Sequence, residues 1–93
     1  MMEINGSIYV FSTKGIVENR VCINYIVHDY DGDWQFLNLE EDLTEDNARL
    51  LSLEEVIDMD DSIANVLKMD IGYYAIKSEN TNSWIIKKLS EDQ

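Results

Sequence analysis

Val21-Cys-Ile-Asn-Tyr-Ile-Val-His-Asp-Tyr-Asp-Gly-Asp-Trp-Gln-Phe-Leu-Asn-Leu39 is the stretch on which the fold turns. From Val21 to His28 the odd positions Val21, Ile23, Tyr25 and Val27 are all apolar, and Cys22, Asn24, Ile26 and His28 make a mixed face. This alternation of β-branched and aromatic residues predicts a strand. Asp29-Tyr-Asp-Gly-Asp33 follows, and its Asp-Gly pair suits the positive φ of a tight connection. Trp34 to Leu39 then resumes as a second strand paired with the first. Trp34 and Phe36 share a face of it and are assigned to the core, where each ring buries roughly 150–250 Å².

Working outward, Ser7 to Ser12 reads as a strand with Ile8 and Val10 on one face and Tyr9 and Phe11 on the other. Lys14-Gly15 reads as a turn. Glu40 to Asn47 is polar and predicts a loop with one helical turn beginning at Thr44, after which Leu50-Leu51 has room for a short strand. Ser52-Leu-Glu-Glu55 has the form of a capping box, so Leu53, Val56 and Ile57 become the apolar face of a short helix. Asp58-Met-Asp-Asp-Ser62 interrupts that helix and caps another, carrying Ile63, Val66 and Leu67. Gly72 opens a final hairpin of Tyr73 to Lys77 and Trp84 to Leu89, joined by the polar Ser78 to Ser83, and Ser90 to Gln93 is a frayed tail. The prediction is one α+β domain over residues 1–93, an antiparallel sheet of about five strands with two short helices on one side.

Charge supplies the functional clue. The chain carries 19 acids against 7 Lys and Arg, a formal net charge of −12. Residues 28–70 hold 14 of those acids and only Arg49 and Lys68 as bases, so this middle segment accounts for the whole charge. Such a field repels nucleic-acid phosphates and anionic membrane surfaces and attracts a basic protein surface or a divalent cation. No apolar run is long enough to span a bilayer, and the N-terminal MMEINGSIYVFSTKG lacks the basic start and apolar core of a signal peptide, which predicts a cytoplasmic chain. One cysteine, Cys22, allows neither an internal disulfide nor a cysteine-based zinc site.

The local chemistry is sparse. Asp29, Asp31 and Asp33 alternate about Gly32, a pattern able to wrap a hard cation. Glu40 falls at the twelfth place counted from Asp29, yet the glycine comes one residue early for a calcium loop, and the strand from Trp34 carries Glu40 away. The competing reading is a turn whose aspartates cap backbone groups. Cys22 and His28, six residues apart on an extended strand, stand about 20 Å from each other, too far for a thiol–imidazole pair. The expectation is a buried, inert Cys22 and a His28 serving at the hairpin end. Gly6, Gly15, Gly32 and Gly72 are dispersed, so no phosphate-cradling loop exists. Tyr73, Tyr74 and Trp84 divide between core packing and an exposed aromatic patch, with one of the two tyrosines facing outward.

At Asp31-Gly-Asp-Trp-Gln-Phe-Leu37, Ser52-Leu-Glu-Glu-Val-Ile57, Asp61-Ser-Ile63 and Leu67 through Gly72, the chain resembles a bacterial family of domains of unknown function grouped with immunity-protein-like domains. The similarity extends over most of residues 8–77. Family members often place a proline just before the later glycine, where this chain has Met69-Asp70-Ile71. The resemblance implies a non-enzymatic domain and, for some relatives, immunity against a toxin encoded nearby. It supplies no catalytic residues. The resulting expectation is a binding module without cofactor or bound metal. Asp29, Asp31, Asp33, Glu40, Glu41, Asp42, Glu45 and Asp46 meet a basic partner, while Trp34, Phe36, Ser52, Glu55 and Gly72 hold the structure. The alternatives are a structural domain whose acidic block is a solvated face that only keeps the chain soluble, a divalent-cation site at Asp29, Asp31 and Asp33 with Glu40, and a small hydrolase or isomerase using His28 with a neighbouring carboxylate.

Overall fold

The computed structural model describes residues 8–19, 21–81 and 83–89; Ser7 of the first expected strand and the tail Ser90 to Gln93 lie outside them. Along the chain run β1 (Tyr9–Thr13), α1 (Lys14–Asn19), β2 (Tyr25–His28), β3 (Trp34–Leu37), β4 (Ala48–Ser52), α2 (Leu53–Met59), a 3-10 helix (Asp61–Val66), β5 (Tyr73–Lys77) and β6 (Trp84–Lys88). The strands form one sheet in the order β4-β1-β3-β2-β5-β6. The central hairpin is the predicted one: Ile26 stands opposite Phe36 and His28 opposite Trp34. Its turn closes through Asp29 N–H to the Asp33 carbonyl at 3.0 Å, with Gly32 at φ 90°.

The sheet has six strands and is mixed, where about five antiparallel ones were expected, and three short helices accompany it instead of two. The parallel pairing and the third helix both start at Lys14-Gly15. In place of a turn, the chain forms α1, which prevents β1 from making a hairpin with β2 and leaves it to pair parallel to β3, Phe11 beside Gln35. On its other side β1 pairs antiparallel with β4, the five-residue strand that grew from the expected Leu50-Leu51. The second strand is also shorter than predicted, because residues 21–24 are not extended into the sheet. Asn38 holds that segment through Nδ2 to the Cys22 carbonyl at 2.9 Å, while Asn24 Oδ1 accepts from Leu39 N–H at 2.8 Å.

One face of the sheet meets the helices. Val10, Ile26, Trp34, Phe36, Leu51 and Ala75 project there and pack against Leu53 and Val56 of α2 and Ile63 and Val66 of the 3-10 helix. On β2 the core-facing residue is thus Ile26, from the mixed set, whereas Tyr25 and Val27 from the uniformly apolar set face the other way. Alternation fixed which residues share a face but not which face the helices cover. The capping box forms: Ser52 Oγ accepts from Glu55 N–H at 3.2 Å and Glu55 Oε1 from Ser52 N–H at 2.8 Å. Asp60 caps the next helix through Ser62 N–H at 3.0 Å. That helix is 3-10, a geometry in which Ile63 and Val66, three apart, eclipse each other on one face.

A polar network ties this layer to the last hairpin. Lys77 Nζ donates to Asp60 Oδ2 at 2.7 Å and lies 5.5 Å from the Trp84 ring centroid. The Trp84 indole donates to Ser62 Oγ at 3.0 Å, and Ser62 Oγ donates to Asp60 Oδ1 at 2.7 Å. Gly72 opens the hairpin at φ 90°, its N–H donating to the His28 carbonyl at 2.7 Å. A Cβ at this position would stand 3.1 Å from the Tyr30 ring. The radius of gyration, 12.6 Å, matches the ~12 Å of a single domain of this length.

Candidate functional site: an open sheet face with an acidic rim

The face opposite the helices is largely apolar and carries no second layer of helices among the described residues, although the 38–47 segment lies over one end of it, where Thr13 and Leu37 are buried, and Val27 is buried among its neighbours. Register places Leu50, Phe11, Gln35, Val27, Tyr74 and Lys87 in one row across all six strands. A neighbouring row runs Leu37, Tyr25, Ile76, Ile85. Tyr9 is 73% exposed, Leu50 63%, Leu39 54% and Ile85 50%. These exposed side chains stand at the margins of the face, with Gln35, Lys87 and the buried Val27 between them, and apolar exposure gathered on one face is what interaction sites show. Tyr74 is the outward member of its pair, since Tyr73 packs against the core. It meets Tyr25 edge to face with ring centroids 5.9 Å apart. Burial, with charge repulsion from Tyr74 adding to it, pushes the Tyr25 phenol above its ordinary pKa.

The acidic residues singled out from the sequence divide between the two ends of this sheet. β3 runs from the Asp29–Asp33 turn at one end to the 38–47 segment at the other, so the two groups do not form one patch. At the turn, one ligand atom each from Asp29, Asp31 and Asp33 lies within 4.8 Å of the others. Asp29 is committed to the turn itself. Its Oδ1 accepts from the N–H groups of Asp31 at 2.9 Å and Asp33 at 3.1 Å, and its Oδ2 from Gln35 Nε2 at 3.0 Å. Glu40 lies beyond the far end of β3, away from this group.

At the other end Glu41 has a structural task that its neighbours lack. Its carboxylate accepts from Thr13 Oγ1, from Gly15 N–H at 3.2 Å and from Asn47 Nδ2 at 3.4 Å. The first turn of α1 contains no acid of its own, and Glu41 supplies one from a distant part of the chain. A Cβ on Gly15 would stand 2.5–2.8 Å from that carboxylate, which is why a glycine occupies this helical position. Glu40, Asp42, Glu45 and Asp46 are exposed. Among the described residues the ion pairs are Arg49 with Glu18 and Lys77 with Asp60, so none of these carboxylates has a cationic partner. The predicted helical turn is present here, closed by Ala48 N–H to the Thr44 carbonyl at 3.0 Å.

A cleft of about 420 Å³ joins the two features. Tyr25, Leu37, Tyr74 and Ile76 of the open face form its floor. Asn38, Leu39, Glu41, Asp42 and Leu43 stand along it from the 38–43 segment.

Cys22 is exposed, contrary to the expectation that it is buried, because the residues before β2 leave the sheet. It lines a second cleft of about 450 Å³ on the helix side, with Ile16, Val21, Ile23 and Met59. His28, at the far end of β2 from Cys22, stacks on Trp34 with centroids 3.8 Å apart. Its Nδ1 donates to the Met69 carbonyl at 2.9 Å. The structure thus keeps thiol and imidazole apart. Tyr9, Phe11, Tyr25, Leu37, Leu50 and Ile76 were not singled out from the sequence. Their signal was present: both faces of several strands were apolar, while the helices foreseen were short and on one side only.

Compared with known proteins, the chain matches no family model, no curated protein and no solved structure. No helix among the described residues is long and apolar enough to cross a membrane.

Proposed function

We propose that the chain is a non-enzymatic, cytoplasmic docking module that binds a basic protein surface. The observation that carries this reading is the helix-free sheet face, with Tyr9, Leu50 and Ile85 exposed, ending at a segment whose carboxylates Glu40, Asp42, Glu45 and Asp46 have no cationic partner among the described residues. Charge of one sign guides encounter and rejects wrong partners, and apolar anchors supply the affinity that exposed charges do not. An immunity-like role, with a toxin as the basic partner, is the form suggested by the resemblance. The Asp29, Asp31 and Asp33 turn belongs to this reading only as part of the overall acidic field.

The test is capture of the tagged chain's partner at low and high salt, beside a variant carrying Glu40→Gln, Asp42→Asn, Glu45→Gln and Asp46→Asn. One basic protein retained at low salt, and lost both at high salt and with the variant, is expected. Retention by the variant at undiminished level refutes docking through this segment. A second reading, a divalent-cation site, is supported by the convergence of Asp29, Asp31 and Asp33 within 4.8 Å. Calorimetric titration with calcium and magnesium decides it, since absence of heat at millimolar metal removes it.

A further inference from the structure

We infer that the cleft between the 39–43 segment and the open face is an anchor site for one arginine side chain of the basic partner. The inference rests on the docking reading and assigns that reading a specific pocket. At about 420 Å³ the cleft is at the small end of ligand sites, roughly 300–1,000 Å³, suited to one long side chain and too small for a helix. Its floor is apolar and aromatic and matches the aliphatic stem of such a side chain. Its polar side is anionic, with Asp42 and Glu41 both lining it.

Neither carboxylate has an ion-pair partner among the described residues. Among the described residues Glu41 is held by neutral donors alone, the Thr13 hydroxyl, the Gly15 N–H and the Asn47 amide. Those bonds fix the charge in place before any partner arrives. Lys14, between two of the Glu41 donors in the chain, makes no ion pair among the described residues, and neither it nor Lys87, across from Tyr74, lines the cleft. Arginine fits better than lysine because its planar, weakly hydrated guanidinium stacks on tyrosine rings while presenting a donor fork to a carboxylate. The edge-to-face pair of Tyr25 and Tyr74 supplies aromatic surface beside that charge.

The experiment uses the full chain, isotope-labelled for amide NMR, and three probes: N-acetyl-arginine methylamide, its neutral citrulline counterpart, and an eight-residue peptide of alternating arginine and alanine. Saturable shifts at Tyr25, Leu37, Leu43, Tyr74 and Ile76 are expected with both arginine probes, and much smaller ones with citrulline. Asp42→Asn should weaken peptide binding up to about fivefold and Tyr74→Leu about threefold, the scale of an exposed ion pair and an exposed cation–π contact. Asp42 is exposed and its side chain makes no hydrogen bond among the described residues, so its variant should keep the native spectrum. Peptide shifts confined to Asp29, Asp31 and Asp33, or to Glu45 and Asp46, overturn the pocket and leave docking standing. Equal binding of the arginine and citrulline probes also overturns the pocket as a cation site. No response to any probe, together with an empty partner capture, overturns both.

Discussion

The two faces of the sheet are made by the same strands and differ in what lies over them. On one, Val10, Ile26, Phe36 and Ala75 are sealed by Leu53, Val56, Ile63 and Val66. On the other, Tyr9, Phe11, Leu50 and Ile85 have no covering layer among the described residues. Seven residues of α2 and six of the 3-10 helix suffice for one face only. The exposed apolar side chains of the second face, Tyr9, Leu50 and Ile85, therefore do less for folding than their chemistry suggests, and the proposed docking would account for them. Stability measurements test this difference directly. Phe36→Ala should cost about 3–5 kcal/mol in urea unfolding, through lost burial and the cavity left behind. Leu50→Ser should stay within about 0.5 kcal/mol of the parent. A Leu50→Ser loss comparable to that of Phe36→Ala would show the open face to be structural and remove it as a docking surface.

Two glycines sharpen the same comparison at the edge of the covered layer. Gly32 and Gly72 both stand at φ 90°, where an L side chain costs roughly 1–2 kcal/mol. At Gly32 the nearest atom to an added Cβ is Ile71 Cδ1 at 3.8 Å, an ordinary contact, whereas at Gly72 it is the Tyr30 ring at 3.1 Å. Gly72→Ala should therefore destabilise more than Gly32→Ala, and equal thermal shifts would mean that Tyr30 moves aside without cost. Ser52→Ala removes the cap of α2 and should cost about 1 kcal/mol by the same unfolding assay, with binding at the open face unchanged.

What was legible in the sequence follows from how far apart the deciding residues stand. The Asp29 to Asp33 turn, the Ser52 and Glu55 capping box, a cap within Asp58 to Ser62 and Gly72 are each specified within a few residues, and each forms as the sequence predicts, the cap being Asp60. The acceptor that helps begin α1 belongs to Glu41, 26 residues beyond Gly15, and no local pattern announces it. Without that carboxylate, Lys14-Gly15 has the appearance of a turn, since glycine is a poor helix former. The parallel pairing of β1 with β3 follows from the same missed helix. The acidic set was legible as composition but not as a surface: one end is occupied with its own turn, the other adjoins the apolar face. The exposed side of that face was legible in principle, from counting apolar strand faces against the helices able to cover them.

Asp60 gives the smallest and most conditional effect, on the covered side of the comparison. Burial alone would raise its pKa. Hydrogen bonds from Lys77 and Ser62, with the charge of Lys77, outweigh burial and hold the carboxyl below its ordinary range. Folding thus favours the ionised form. Its contribution is complete above the unfolded carboxylate pKa of about 3.9 and is lost as pH falls through the lower folded value. Because burial and hydrogen bonding oppose each other, the net pH dependence from this one group should be modest. Urea midpoints of the parent and Asp60→Asn should differ by a constant amount above about pH 5 and converge in stronger acid. Trp84, whose indole joins the network through Ser62, provides a local fluorescence signal for the same titration. A difference that persists unchanged into acid would assign the role of Asp60 to its capping geometry, leaving the bridge to Lys77 as a contact between layers without electrostatic consequence for stability.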